Sequence, residues 1–184
     1  MSTREDLCRL RELEIDLSSI GLNWGGEFIP YFCTPEGAEH VGSIGCDGVH
    51  FVLLPGDERV FCVNPAMGEE GTYVLPMGAE LREFLSFLLY CRDANPLSQI
   101  WWMTEERFRG LLEEDRAARE AGDLPELYAA KDTALAAIAE AFGLEPRDPF
   151  ERVKALQRAF DPAGLVFTSE YYDVLGLDPP GSPA

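Results

Sequence analysis

Leu7, Leu10, Leu13 and Leu17 recur at helical spacing, and Ser2 followed by Glu5 forms a capping-box pattern ahead of them. Together they predict a helix over 2–17. From about residue 27 to 75 the texture changes to the short β-rich runs "EFIPYF", "HVGSIGC", "VHFVLL", "RVFCVN" and "TYVL", separated by Gly, Pro and Asp. Connections this short do not accommodate the crossover that a parallel pair requires, so the runs predict an antiparallel meander. After Pro76 the period becomes helical. "ELREFLSFLLYC" places Leu81, Phe84, Leu85, Leu88 and Leu89 on one stripe, which should pack across the sheet. "NPLSQIWWMTEERFRGLLEE" should break near Thr104, an N-cap with Glu105 and Glu106 in the first turn, and bury Phe108, Leu111 and Leu112.

The charged stretch "EEDRAAREAGDLP", with Gly122 and Pro125, marks a linker or helix boundary. Beyond it Leu135, Ile138 and Phe142 share one register. In "DPFERVKALQRAF", Asp148 caps, Pro149 occupies the first helical position, Glu151 completes a box, and Phe150, Val153, Leu156 and Phe160 line a face. "LVFTSEYYDVLGL" reads as an extended piece and a terminal turn. The fold class expected is α+β: an antiparallel meander sheet flanked by helices over 1–120, a helical extension or subdomain over 121–176, and a disordered tail over 177–184.

"GSIGCDGVHFVLL", residues 42–54, places Cys46, Asp47 and His50 close together. Asp-Gly between apolar runs is a strong hairpin signal, because a type I′ turn needs positive φ at both central positions. That turn pairs Cys46 with Val49 and Gly45 with His50. Ile44, Cys46, Val49, Phe51 and Leu53 then share the core side, with His50, Val52 and Leu54 opposite. A Cys/His dyad needs hydrogen-bond reach, which this arrangement denies. The next loop, Pro55 to Glu58, sets Phe51 against Cys62 and His50 against Val63. Cys33, His40, Cys46, His50 and Cys62 match no zinc-knuckle spacing, so no metal site and no cofactor are expected. GxSxG, Walker, HExxH and strand-linked GxGxxG motifs are missing, and the adjacent carboxylates read as solvated surface. No catalytic residue is assigned.

Composition narrows the function class. Hydrophobic content of 46% fits a packed protein, whereas a net charge of −18 repels nucleic-acid phosphates and favours a basic protein partner. Five cysteines without CxxC spacing, and an N-terminus without an apolar run, suggest a reducing, cytoplasmic setting. No run is long and apolar enough for a membrane span. Trp101 and Trp102 diverge by about 100° if helical, which makes one of them a surface anchor.

The N-terminal helix, the meander containing "IGCDGVHFVLLPGDERVFCVNP" and the helix "ELREFLSFLLYC" resemble the SUKH superfamily over about residues 1–115. The resemblance implies a curved sheet flanked by helices and a non-catalytic binding module, of the kind seen in bacterial toxin-immunity proteins and fungal cell-wall-synthesis regulators. The expectation is an acidic module masking a basic partner such as a toxin domain. Asp57, Glu58, Glu69 and Glu70 would steer the encounter, and Trp101 and Trp102 would anchor it. The competing expectation is a ligand-binding protein or enzyme with a pocket between the sheet and the C-terminal helices.

Overall fold

A computed structural model describes residues 2–25, 27–70 and 72–179, the side chains of Glu69 and Glu70 excepted. Helix α1, Thr3–Arg11, starts where the sequence places it. Ser2 accepts from Glu5 N–H, and the Glu5 carboxylate accepts from Ser2 N–H at 2.7 Å. The helix is shorter than the leucine spacing predicts, because Glu14 turns into the left-handed region with φ 51°. The chain then carries Leu17 and Ile20 into the core through a 3-10 turn.

Four strands follow: β1, Glu39–Ser43; β2, His50–Leu53; β3, Val60–Val63; and β4, Val74–Gly78. They form one antiparallel sheet in the order β1-β2-β3-β4. "EFIPYF" is not a strand. Pro30 withholds an N–H, and Asn23 bonds the edge of β1 instead, exchanging two 2.8 Å hydrogen bonds with Ser43.

The second hairpin has the expected register, with Phe51 facing Cys62 and His50 facing Val63. The first is offset by two residues, since His50 faces Ser43 and Ile44 N–H donates to Val49 C=O. Asp47 and Gly48 do form a tight turn with positive φ at both positions, closed by Val49 N–H onto Cys46 C=O at 3.2 Å. Gly45, with φ 93°, extends the loop to residues 45–48. An offset of two preserves strand faces, so Val49, Phe51 and Leu53 remain in the core. Cys46 does not: it lies in the loop and is exposed.

Helix α2, Leu81–Cys91, buries the predicted stripe, with Phe84 meeting Phe51 at 5.0 Å between ring centroids. Helix α3, Ala94–Gln99, ends in a turn holding both tryptophans, which are therefore not helical neighbours. Helix α4, Glu105–Glu120, is capped by Thr104 and runs through most of the charged stretch, which ends in the expected helix boundary, with Gly122 at φ 81° and Pro125 opening the next helix. Helices α5, Pro125–Phe142, and α6, Phe150–Arg158, place Leu135, Ile138, Phe142 and Val153 in the same buried cluster as Leu7, Phe51 and Phe84. Pro149, rather than Asp148, is the N-cap of α6. Asp148 instead accepts from Phe150 N–H at 3.0 Å, and Glu151 makes no capping bond.

The other face of the sheet carries Val52, Leu54, Phe61, Val63 and Val74. It is covered by Phe28, Phe32, Phe160, Leu165, Phe167 and Tyr171. Phe167 bridges to Pro35, Phe167 stacks on Tyr171 at 4.0 Å, and helix α7, Ser169–Leu175, ends the described fold. Of the expected tail, Leu177 to Pro179 has no regular structure and 180–184 lies outside the described residues.

Candidate functional site: a cleft beside the first hairpin

The loop 45–48 and the irregular residues 23–25 and 27–31 enclose an open cleft of about 320 Å³. Trp24, Phe28, Ile29 and Tyr31 supply its apolar wall, Glu27 and Asp47 its carboxylates, and His40, Ser43, Cys46 and His50 its remaining polar side chains. Ile29 is 82% exposed and Tyr31 46%. Both line the cleft, so their exposed apolar surface lies beside it.

Backbone geometry sets this arrangement. Gly48 sits at φ 70°, where a Cβ would also press on the Tyr31 ring at 3.3 Å, so glycine lets the loop close against the aromatic wall. Phe28 lies flat on His40, with centroids 4.2 Å apart and planes 8° off parallel. His40 Nε2 meets Ser43 Oγ at 2.8 Å. Burial, helped by His50 and Arg11, holds the His40 pKa down at about 4, against the weaker upward pull of a Gly42 backbone bond.

His50 is 3% exposed and fully bonded. Its Nδ1 lies 2.7 Å from Gly48 C=O, which can only accept, so the proton resides on Nδ1. Nε2 then accepts from Thr34 Oγ1 at 3.1 Å, while Thr34 Oγ1 accepts from Tyr31 N–H at 2.8 Å. Burial lowers the His50 pKa as well, although the Gly48 bond opposes it. Both imidazoles are therefore neutral near pH 7. Cys46 and His50 line one cleft, yet neither His50 nitrogen is available to a thiol.

No Lys or Arg lines the cleft. Arg11 stands behind its wall, 5.7 Å from the Trp24 ring, held by Glu39 at 3.3 Å and His40 C=O at 2.7 Å. Glu27 and Asp47 make no ion pair among the described residues.

The residues expected to contact a partner lie elsewhere. Asp57 is gripped by Arg59 through Nε at 3.0 Å and Nη2 at 2.6 Å. Glu58 accepts from Thr3 N–H at 2.6 Å and so fastens α1 to the β2–β3 hairpin. Glu69 and Glu70 close the 3-10 segment Pro65–Glu70, and their side chains lie outside the described residues. Trp101 is half-buried, whereas Trp102 is 41% exposed beneath the Arg107 guanidinium at 4.5 Å. Sequence reasoning missed Trp24, Glu27, Phe28, Ile29 and Tyr31. Pro30 inside an apolar run was the signal that this segment leaves the sheet.

A cavity between the sheet and the C-terminal segment exists too, with a volume of about 320 Å³ and Leu54, Phe61, Phe160, Leu165 and Val166 along it. Its polar side chains are Glu36, Asp57, Arg59 and Asp161, of which Asp57 and Arg59 pair with each other. Arg59, forked onto Asp57, sits against the rings of Phe61 at 5.0 Å and Phe160 at 5.1 Å, which touch each other at 5.4 Å. Among the described residues no three His, Cys, Asp or Glu side chains gather to hold a metal ion, and no helix is long and apolar enough to cross a membrane. Comparisons of the chain with protein-family models, curated proteins and solved structures return no match.

Proposed function

We propose that this protein is a non-catalytic acidic binding module that masks a basic protein partner. The observation carrying this reading is where the cations go. Among the described residues, eleven of the fifteen Lys and Arg side chains, among them Arg11, Arg59, Arg109 and Lys131, pair with the fold's own carboxylates, whereas Arg9, Arg107, Lys154 and Arg158 do not. With −18 net charge, the carboxylates left over form an uncompensated surface that accelerates encounter with a basic protein. The exposed Ile29, Tyr31 and Trp102 supply apolar anchors. The resemblance to the SUKH superfamily supports the same class, with a toxin domain as one such partner and the cytoplasm as the compartment.

The full chain, used as bait in lysate of its source cells, tests the reading. A basic protein recovered at one-to-one stoichiometry in low salt and released by high salt supports it. Recovery of no stoichiometric protein rejects it.

A second reading takes the cleft as a small-molecule or catalytic site. His50, Asp47 and Glu27 line one cavity, and Ser43 meets His40 in nucleophile–base geometry. The low His40 pKa makes that imidazole a weak base. Labelling of Ser43 by a fluorophosphonate, abolished in His40→Ala, would support this reading. Absence of labelling removes it.

A further inference from the structure

We infer that the cleft between loop 45–48 and residues 23–25 and 27–31 receives an arginine side chain of the basic partner. This rests on the binding-module reading and gives it an address.

Charge complementarity argues for a cation. Glu27 and Asp47 present carboxylates to the cleft, no Lys or Arg lines it to answer them, and both imidazoles are neutral. The aromatic wall argues for a guanidinium in particular, whose planar, weakly hydrated face stacks on Trp, Phe and Tyr rings where an ammonium remains hydrated. This protein already uses that combination internally. Arg59 sits against two touching phenylalanine rings while forked onto a carboxylate, and Arg11 lies over the Trp24 ring at 5.7 Å while held by Glu39. The cleft has the same two parts, ring and carboxylate, and lacks only the cation.

The remaining surroundings fit a long side chain entering from another protein. The cleft is open rather than closed over, and its volume of about 320 Å³ is ample for an arginine side chain. Ile29, at 82% exposure, and Tyr31 flank the mouth and would be covered by partner backbone once the arginine is inserted. A free cation would leave them exposed.

N-acetyl-L-arginine amide, titrated into the ¹⁵N-labelled full chain, is the probe. Saturable shifts are expected at the Trp24 indole N–H and the amides of Tyr31, Gly45 and Gly48, with a Kd on the order of millimolar for a single side chain. Glu27→Gln/Asp47→Asn should weaken binding by about tenfold, whereas the equally charged control Glu114→Gln/Glu126→Gln should leave it unchanged. N-acetyl-norleucine amide should cause no saturable shift. Shifts that are linear and spread over the surface, or equal in both double variants, overturn the proposal. Spermidine binding in the cleft more tightly than the arginine amide also overturns it, in favour of a free polyamine. Capture of a basic partner that tolerates Glu27→Gln/Asp47→Asn refutes the cleft while sparing the binding-module reading. Failure to capture any partner refutes the latter.

Discussion

Thr34 Oγ1 donates to His50 Nε2 at 3.1 Å, satisfying the nitrogen left unprotonated when Gly48 C=O holds the proton on Nδ1. Thr34 is itself buried and accepts from Tyr31 N–H, so one hydroxyl ties the cleft wall to β2. Thr34→Ala leaves a buried acceptor and a backbone donor without partners. It should destabilise the fold by about 1–3 kcal/mol, measured as a lower urea midpoint.

The two histidines make the fold sensitive to acid. An unfolded imidazole titrates near 6.5, whereas folded His40 titrates at about 4 and folded His50 is also lowered. Between those values the unfolded chain binds more protons, so acid favours unfolding. Their contribution is complete above about pH 6.5 and is lost as the pH falls toward 4. Carboxylate protonation acts on the same scan, so the comparison is between proteins. Relative to wild type, His40→Gln should lose less urea resistance between pH 7 and pH 5, and an identical loss contradicts the assignment.

Glu58 holds the free end of α1 through Thr3 N–H at 2.6 Å. Glu58→Ala should cost about 1 kcal/mol, with amide hydrogen exchange accelerating first in α1. Because this carboxylate, although half-exposed, is hydrogen-bonded to α1, its removal should affect stability more than partner association. A large loss of association rate with unchanged stability would restore Glu58 to the steering role.

Ile138 of α5 is fully buried in the cluster that contains Phe51 and Phe84. Ile138→Ala should therefore destabilise the whole chain by about 2–5 kcal/mol while leaving one cooperative transition. Two separated transitions, with only one moved, would show that the C-terminal third melts by itself.

Much of the frame was legible in the sequence because period and turn chemistry act locally. The Ser2 capping box, the Asp47-Gly48 turn, the Leu54–Arg59 loop and the stripe of α2 all follow from neighbours within a few positions. What escaped depended on distant parts of the chain. Cys46 left the core because Gly45 lengthened the loop, and "EFIPYF" failed as a strand because Asn23 had taken the edge of β1. The cleft was illegible for the same reason: Trp24 and Phe28 share it with His40 and Asp47 only once the chain has folded. Asp57 and Glu58 looked free in the sequence, and the fold engages both. "GCDGVH" thus is a hairpin, as its Asp-Gly predicts, and also one wall of the candidate site.

The central claim, recognition of a basic protein by an acidic surface with an arginine-sized cleft, is tested most directly by quantitative capture. Wild type, Glu27→Gln/Asp47→Asn and Glu114→Gln/Glu126→Gln would be compared as baits in the same lysate at low salt. Wild type and the second variant should retain one basic protein at equal stoichiometry, and the cleft variant should retain about tenfold less. Absence of any stoichiometric basic protein on the wild-type bait would contradict the account.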